Sequence, residues 1–470
     1  MPGLMKISFH GAARTVTGSK HIVHLDNGTK VLLDCGMFQG LGKETMGLNQ
    51  DWGFDPADID VVVLSHAHID HVGLMPKLVK DGYKGKIWCT HATADLATIL
   101  MRDSARIQES DVRYINKQRL KEGRSLIDPL YTEEDAEATA ALFSFVEYDN
   151  TVDIAPDVRL CFTDAGHLLG SAAVHLAIRE SGKETRITFS GDIGRYRDAI
   201  LRSPQDFPQA DYVIMECTYG DSLHGLTAPA ANDLQRWIEH TCMEKGGKLI
   251  IPAFSVGRTQ EILYQLNRLE LERRLPDLKY FVDSPLSIDA TEVIKAHPEC
   301  YNEQVEKIMR MDDDVFKFKG LKYIRTSEES IALNSLEEPC VIISASGMAE
   351  AGRVKHHIAH NIGAARNTIL LAGYCEPRSL GGQLKAGAKE VHIFSKAFTV
   401  HAEVGAISSM SAHGDYDDLI QWLSCQEADK LKKIFLVHGE YEVQLAFARR
   451  LGLKGYKHVD VPEQHSVWEV

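Results

Sequence analysis

The chain has 470 residues, of which 44% are hydrophobic and 25% charged, as is usual for a soluble globular protein. This length exceeds what one hydrophobic core usually supports, so we expect two domains. The formal net charge of −14 argues against general nucleic-acid binding through a basic surface, although it leaves room for a local basic groove.

The predicted elements begin directly at the N-terminus, which lacks the basic and then apolar pattern of a signal peptide. No apolar run is long enough to predict a transmembrane helix, so we expect a cytoplasmic protein. Strands are predicted at residues 6–9 and 30–33 around a turn at 26–28, a buried strand at 60–65, and helices at 92–124 and 133–143.

From about residue 210 onwards, apolar strands alternate with helical segments. The strands are predicted at 211–215, 248–252, 280–283, 340–344 and 368–372, the helices at 230–245 and around 260–264, and a late strand at 434–438. This alternation predicts a parallel α/β sheet.

The strongest chemical signal is Ser65-His66-Ala67-His68-Ile69-Asp70-His71, directly after the buried strand. Three imidazoles and a carboxylate in one loop suit zinc ligation, and the alternative is a histidine-rich surface loop. The nine scattered cysteines contain no CxxC pair, which predicts reduced, mostly buried thiols and argues against a zinc site made of thiolates.

Two further candidates lie in glycine-containing loops. They are His167 in Ala165-Gly166-His167 and Asp192 in Ser190-Gly191-Asp192, where glycine lets the backbone approach a site closely. Taken alone, either residue is equally consistent with an ordinary turn.

Together these motifs resemble the metallo-β-lactamase fold, with Asp34 at the position of its first motif. Glu216, His413 and His438 resemble three motifs of the β-CASP subgroup, and residues 252–258, 283–285 and 346–348 are also typical of it. Within that subgroup the chain resembles the endonuclease subunit of the eukaryotic cleavage and polyadenylation specificity factor and its prokaryotic relatives.

The resemblance implies two Zn²⁺ per chain. One ion is expected on His66, His68 and His167, the other on Asp70, His71 and His438, and Asp192 is expected to bridge them. Asp34 is expected to steady the ligand loop, with a purely structural turn residue as the alternative.

The resemblance also implies a reaction, the hydrolysis of phosphodiester bonds. His413 is then the general acid and Glu216 orients it, while Ser411 contacts a phosphate oxygen. The alternatives are a satisfied surface histidine for His413 and a plain loop residue for Ser411. Asp70 is counted among the catalytic residues.

The substrate implied is single-stranded RNA, because a histidine at position 438 is associated with RNA enzymes in this subgroup. Arg258 is the first candidate for backbone contacts, followed by Arg353, Lys355 and Arg378, which are otherwise solvated charges. The segment 375–382 departs from the family pattern and puts substrate preference in question. We interpret His356-His357-x-x-His360 as a helix surface rather than a metal site.

The architecture expected is a metallo-β-lactamase αββα sandwich from residues 1–210 and 400–470, with an inserted α/β β-CASP domain at 211–399 and the active site between them. We expect a ribonuclease, endonucleolytic or 5′–3′ exonucleolytic, that leaves a 3′-hydroxyl and a 5′-phosphate; among such proteins homodimers occur. Two alternatives are a two-zinc hydrolase of a small ester or thioester and a non-catalytic RNA-processing scaffold.

Overall fold

The structure is a computed structural model that describes residues 5–42, 44–224, 230–373, 375–407 and 410–470. The chain divides into two compact units, one of Met1–Leu223 with His413–Val470 and the other of His224–Ala412. Within the described residues, no helix is both long and apolar enough to cross a membrane.

The N-terminal segment of the first unit carries eleven described strands and five described α-helices. The strands are β1 (Lys6–Gly11), β2 (Lys20–His24), β3 (Lys30–Leu33), β4 (Val61–Val63), β5 (Ile87–Cys89), β6 (Phe143–Phe145), β7 (Thr151–Ala155), β8 (Val158–Asp164), β9 (Ala172–Glu180), β10 (Lys183–Phe189) and β11 (Tyr212–Glu216). The helices are α1 (Glu44–Gln50), α2 (Ile69–Val72), α3 (Met75–Lys80), α4 (His91–Lys121) and α5 (Glu133–Ala140).

The second unit alternates strands with helices. Its strands are β12 (Lys248–Pro252), β13 (Lys279–Asp283), β14 (Leu321–Tyr323), β15 (Cys340–Ser344), β16 (Thr368–Ala372), β17 (Glu390–Ile393), β18 (Lys396–Thr399) and β19 (Glu403–Ile407). Its helices are α6 (Ala230–Ile238), α7 (Arg258–Leu271), α8 (Pro285–Ala296), α9 (Glu303–Met309), α10 (Ser327–Asn334), α11 (Arg353–Asn361) and α12 (Leu380–Lys385).

The C-terminal segment returns to the first unit. It comprises α13 (Tyr416–Leu423), β20 (Lys433–Val437), α14 (Tyr441–Leu453), β21 (Val459–Asp460) and β22 (Ser466–Glu469). This segment adds β22 to one sheet and β20 and β21 to the other, so both sheets contain strands from the two ends of the chain.

Two seven-stranded sheets form the first unit, in the orders β22-β1-β2-β3-β4-β5-β6 and β21-β20-β11-β10-β9-β8-β7. One core joins them face to face, with Phe9 and Val31 of the first sheet and Phe162, Val174 and Phe435 of the second all buried in it. The outer face of the second sheet packs against α13 and α14 through a separate apolar cluster that includes Trp422 and Phe447. The αββα sandwich predicted from the sequence is therefore present.

The second unit is built on one six-stranded sheet in the order β14-β13-β15-β12-β16-β19. All of its strand pairs are parallel, as the alternation of strands and helices predicts. Strands β12, β15 and β16 are buried along their whole length, which explains why each is a continuous apolar run rather than an alternating one.

Three predicted segments need correction. The helix predicted at 133–143 ends at Ala140, because Phe143–Phe145 pairs in parallel with β5. The strand predicted at 60–65 spans Val61–Val63, and the helix predicted at 230–245 is α-helical to Ile238 and π-helical over Glu239–Glu244. The cysteines are as predicted: all nine are free, and all except Cys161 and Cys425 are buried.

The histidine cluster of α11 is also only partly as predicted. His356 and His360 are exposed on the helix, but His357 is fully buried. Its Nε2 lies 2.6 Å from Oδ2 of Asp283 and its Nδ1 lies 2.9 Å from Oδ1 of Asn334. The described residues place these three histidines in no group of three or more potential metal ligands.

Candidate metal centre and active site

The Ser65–His71 segment leaves the carboxyl end of β4 and turns directly into α2. His66 lies in the loop, His68 is the residue before the first helical turn, and Asp70 and His71 lie within that turn. The loop is pressed against the segment after β3: a Cβ added to Gly36 would overlap the carbonyl oxygen of Asp70. Glycine at position 36 therefore lets two ligand-bearing loops meet.

Asp34 organises this loop from its buried position after β3. Its carboxylate accepts hydrogen bonds from the backbone N of Ser65 (2.7 Å), Oγ of Ser65 (2.8 Å) and Nδ1 of His71 (2.6 Å). Asp34 has φ +58°, a left-handed backbone conformation that a non-glycine residue rarely adopts and that occurs preferentially at functional sites. These contacts support its predicted role in steadying the loop.

His167 and Asp192 are brought to the same place by two other loops. The His167 backbone N donates to Oγ of Ser171 (3.0 Å), which fixes the loop after β8. Asp192 follows β10, and Gly191 before it has φ +56°. An added Cβ at Gly194 would overlap the carbonyl oxygen of Gly166, so these two loops also depend on a close glycine contact.

The first donor group consists of His66, His68, His167 and Asp192. Nδ1 of His68 lies 3.1 Å from Nε2 of His66 and 3.1 Å from Nε2 of His167. Oδ2 of Asp192 lies 3.4 Å from Nε2 of His66 and 3.5 Å from Nε2 of His167. These four atoms therefore converge on one small volume.

The second donor group consists of Asp70, His71 and His438. Nε2 of His438 lies 3.2 Å from Nε2 of His71 and 3.3 Å from Oδ2 of Asp70. The remaining oxygen of Asp192, Oδ1, lies 3.3 Å from Nε2 of His71. Asp192 thus directs one oxygen at each group, and the seven residues that the sequence analysis assigned as ligands are all brought together.

The spacing of these atoms fits divalent metal ions. Around a tetrahedral ion with bonds of about 2.0–2.1 Å, neighbouring donor atoms lie about 3.3 Å apart, close to the distances found in both groups. In addition, Oδ1 of Asp192 is buried and accepts no hydrogen bond among the described residues. A buried carboxylate oxygen without a donor is costly, and a cation would satisfy it.

The protonation of the first group also suits a metal. Burial lowers the pKa of His66 to about 3 and that of His68 to about 4, so both rings are neutral and offer a lone pair. Burial would by itself raise the pKa of Asp192, but His438, His71 and His66 hold that pKa well below its usual value. Asp192 is therefore an anion beside the neutral rings of His66 and His68.

His413 and Glu216 form a pair beside the first donor group. Nδ1 of His413 lies 3.0 Å from Oε1 of Glu216, which is fully buried, and the His413 ring centroid lies 4.5 Å from that of His167. Burial lowers the pKa of His413, but Glu216 and then Asp192 outweigh it and raise that pKa to about 9. The half-buried ring thus lies against a carboxylate that favours its protonated form.

The predicted substrate-binding residues lie in the second unit. Arg258 is buried at the start of α7 and forms an ion pair with Glu261, while Ser411 is half-buried. Arg353 donates from Nη1 to Asp283 (2.7 Å) and is held there, whereas Arg378 is exposed and pairs with Glu376 (2.8 Å). Their contacts with substrate stay predictions.

Two residues that the sequence analysis did not single out contact the candidate ligands. Oγ of Ser65 lies 3.0 Å from Nδ1 of His66, and Oγ1 of Thr218 lies 3.1 Å from Nδ1 of His438. Ser65 directly precedes His66, and Thr218 lies two positions after Glu216. Both residues lie close in sequence to predicted site residues, and this nearness is the signal that the sequence offers. Their hydrogen-bond partners can be identified only in the folded chain.

Three family profiles match the chain. The metallo-β-lactamase superfamily matches residues 21–240, the Beta-Casp domain residues 259–384, and the Zn-dependent metallo-hydrolase RNA specificity domain residues 398–462. They cover the first unit from both ends of the chain and the second unit between them.

Several relatives match almost the whole chain. Ribonuclease TTHA0252 of Thermus thermophilus is 35% identical over 96% of this chain and 97% of its own length. An RNase J-like protein of Methanocaldococcus jannaschii is 31% identical over 95% of each chain. Transcription termination factor FttA of the same archaeon is 31% identical over 94% of this chain and 68% of its own length.

A solved structure shares the fold alone. The crystal structure of a protein of unknown function from Enterococcus faecalis matches with a TM-score of 0.52 at 11% identity and covers 100% of both chains. The two stacked sheets and their buried histidine and aspartate groups are those of a metal-dependent hydrolase. The chain belongs to the metallo-β-lactamase superfamily, in the group that carries a β-CASP domain.

Proposed function

We propose that the protein is a zinc-dependent ribonuclease that hydrolyses phosphodiester bonds of single-stranded RNA with two zinc ions per chain. The observation that carries this proposal is that Asp192 directs one oxygen at each of the two donor groups, so its carboxylate would offer a ligand atom to each ion. The RNA specificity profile at 398–462 and the names of the ribonuclease relatives support RNA as the substrate.

Within this proposal His66, His68 and His167 would hold the first zinc, and Asp70, His71 and His438 would hold the second. Bound zinc supplies two things there: it lowers the pKa of water towards about 7, and it offsets negative charge on the phosphate. Asp70 contributes a carboxylate to the second ion and is therefore part of the reacting centre.

His413 and Glu216 supply the proton that cleavage needs. The oxygen of a water molecule forms a bond to phosphorus as the bond between phosphorus and the 3′ oxygen breaks, and the 3′ oxygen leaves with a proton from the His413 ring. The proton that the water loses passes to solvent, from which His413 regains its own. The products are a 3′-hydroxyl and a 5′-phosphate. Glu216 keeps the ring turned towards the first donor group and stabilises its positive charge through the hydrogen bond at Nδ1.

The test uses end-labelled single-stranded RNA and purified protein, with and without a zinc chelator, beside His413→Ala and Asp192→Ala. We expect cleavage by the wild-type protein, loss with chelator, and restoration when zinc is added back. His360→Ala, at an exposed histidine outside both donor groups, is the matched control and keeps full activity. Cleavage that persists with chelator and in both site variants contradicts the proposal.

The same purified protein is used to test the alternative substrate and the mode of RNA cleavage. A thioester substrate tests the small-ester alternative, and the length of the first RNA products separates internal cleavage from removal of nucleotides at the 5′ end. We further propose, from the sequence analysis alone, a cytoplasmic location. The oligomeric state stays open between a monomer and a homodimer, and light scattering of the purified protein distinguishes the two.

A further inference from the structure

Two buried carboxylates, Asp34 and Glu216, each bind two histidines of the site in the same way. Each contacts one imidazole directly and a second imidazole through a hydroxyl group. The hydroxyl belongs to Ser65 in the first case and to Thr218 in the second. The two arrangements lie in different loops of the first unit.

The Asp34 arrangement serves His71 and His66. Oδ2 of Asp34 lies 2.6 Å from Nδ1 of His71, and the same oxygen accepts the Ser65 hydroxyl at 2.8 Å. Oγ of Ser65 in turn lies 3.0 Å from Nδ1 of His66. Ser65, His66, His71 and Asp34 are all buried, so water does not compete for these bonds.

The Glu216 arrangement serves His413 and His438. Oε1 of Glu216 lies 3.0 Å from Nδ1 of His413, and Oε2 accepts the Thr218 hydroxyl at 2.6 Å. Oγ1 of Thr218 lies 3.1 Å from Nδ1 of His438 and also 3.1 Å from the His438 carbonyl oxygen. The carboxylate is the nearer and the charged acceptor, so it takes the hydroxyl proton.

The direction of these bonds fixes the histidine tautomers. A carboxylate only accepts, and a hydroxyl has one proton to donate. Because Ser65 and Thr218 give that proton to Asp34 and Glu216, each hydroxyl oxygen can only accept from the facing Nδ1. His66 and His438 therefore carry their proton on Nδ1, which leaves the lone pair on Nε2, the atom that lies in each donor group.

We propose that Ser65 and Thr218 are positioning residues that hold one histidine of each metal group in the ligating tautomer. This inference rests on the proposed metal binding and adds two residues to it. Outer contacts that orient a ligand histidine typically contribute about 10–100-fold to metal affinity. Ser65 acts on the first ion through His66, and Thr218 acts on the second through His438.

The experiment measures zinc affinity rather than activity. Metal-free wild type, Ser65→Ala, Thr218→Val and Thr218→Ser are titrated with zinc against a chromophoric chelator, which resolves two binding constants. Thr163→Val is the matched control, since it removes another buried hydroxyl of the first unit, 2.8 Å from Nε2 of His175. Circular dichroism and thermal unfolding of each metal-free variant monitor the fold.

We expect Thr218→Val to weaken one of the two constants by about 10–100-fold and Thr218→Ser to restore it, because serine keeps the hydroxyl. Ser65→Ala weakens the other constant by a similar factor, and Thr163→Val weakens neither. If Thr218→Val and Ser65→Ala bind both ions as tightly as Thr163→Val does, the inference is wrong. If the wild type binds no zinc, the proposed function is wrong instead.

Should Thr218→Val lose its fold in the metal-free state, Thr218→Ser and Ser65→Ala still decide the question. Thr218→Ser must then bind both zinc ions as tightly as the wild type, and Ser65→Ala must weaken the binding of one zinc ion only. Weakening of both constants equally by Ser65→Ala contradicts the assignment of Ser65 to His66.

Discussion

Oδ1 of Asp192 lies 3.3 Å from Nε2 of His71 and accepts no hydrogen bond within the part of the chain that the structure describes. Its other oxygen lies 3.4 Å from Nε2 of His66. One side chain from the loop after β10 thus lies close to donor atoms of both groups, His66 of the first and His71 of the second. The proposed pair of metal ions depends on this carboxylate more than on any single histidine, because Asp192 directs one oxygen at each donor group.

Asp192→Asn tests this dependence. An amide keeps one acceptor oxygen but replaces the other with an NH₂ group, which cannot bind a cation. We expect zinc content to fall from two equivalents to one or none, and cleavage of RNA to fall by more than about 100-fold, the upper range for loss of an outer contact. Elemental analysis after dialysis measures the zinc. Asp128→Asn, at an exposed position, is the control, and an Asp192→Asn protein with two tightly bound equivalents would refute the bridge.

His413→Ala separates proton transfer from metal binding. General acid catalysis contributes about 10²–10⁴-fold, so kcat on RNA falls by that factor while zinc content is unchanged. A phosphodiester with a p-nitrophenolate leaving group needs no proton, and its hydrolysis by His413→Ala falls far less. Comparing the two substrates in stopped-time assays checks this. Equal losses on both substrates would assign His413 a role other than proton donor.

Lys20 gives the stability of the fold a dependence on pH. Its ammonium is buried in β2, where it donates to the carbonyls of Gly18 (3.0 Å) and Gly36 (2.8 Å). Burial lowers its pKa to about 8, against about 10.4 in an unfolded chain. Between these values the unfolded chain binds more protons, so stability rises with pH, by at most about 1.4 kcal/mol per pH unit.

Below a pH of about 8 the lysine is charged in both states and the cost of burying it is complete. Lys20→Met removes this titration. We therefore expect the unfolding free energy of the wild type to increase relative to that of Lys20→Met as the pH rises from about 8 to about 10. Guanidinium titrations of metal-free proteins at several pH values measure it, with the exposed Lys84→Met as control. A constant difference across that range contradicts the prediction.

Gly36→Ala tests the contact between the two loops of the site. The added Cβ would overlap the backbone carbonyl of Asp70, so the loop that carries Asp70 and His71 must move. We expect a loss of stability of about 1–3 kcal/mol and weaker binding of the second zinc. Gly47→Ala is the matched control, because Gly47 lies in α1 and a Cβ added there meets no atom within 4 Å. Alanine is favoured over glycine in a helix, so we expect this variant to be more stable than the wild type by about 0.5–1 kcal/mol. Equal stability of Gly36→Ala and wild type, by thermal unfolding, would show that the loops can separate.

Much of the fold follows from local sequence. The buried parallel strands of the second unit are continuous apolar runs, and such runs are visible without a structure. The strand Phe143–Phe145 is not predictable in this way, because its local sequence predicts the end of a helix. It forms a strand by pairing with β5. Strand pairing across the chain overrides the local pattern there.

The candidate site likewise contains residues that the sequence predicts and residues that it does not. The resemblance to the metallo-β-lactamase and β-CASP motifs implies the ligand histidines and aspartates, and the structure brings all seven together. The burial of His357 was not foreseen, since its partner Asp283 comes from a distant strand end. The hydroxyls of Ser65 and Thr218 were also missed, because a serine or threonine has no distinctive spacing and its partners are set by tertiary contacts.

Strand β11 pairs in parallel with β20, with Glu216 opposite Val437, and the whole second unit lies between these strands along the chain. His438 is the next residue after β20. During synthesis the residues of the first donor group therefore precede the second unit, whereas His438 of the second donor group follows it. The pairing of β20 with β11 therefore places His438 beside Asp70 and His71 and completes the second donor group.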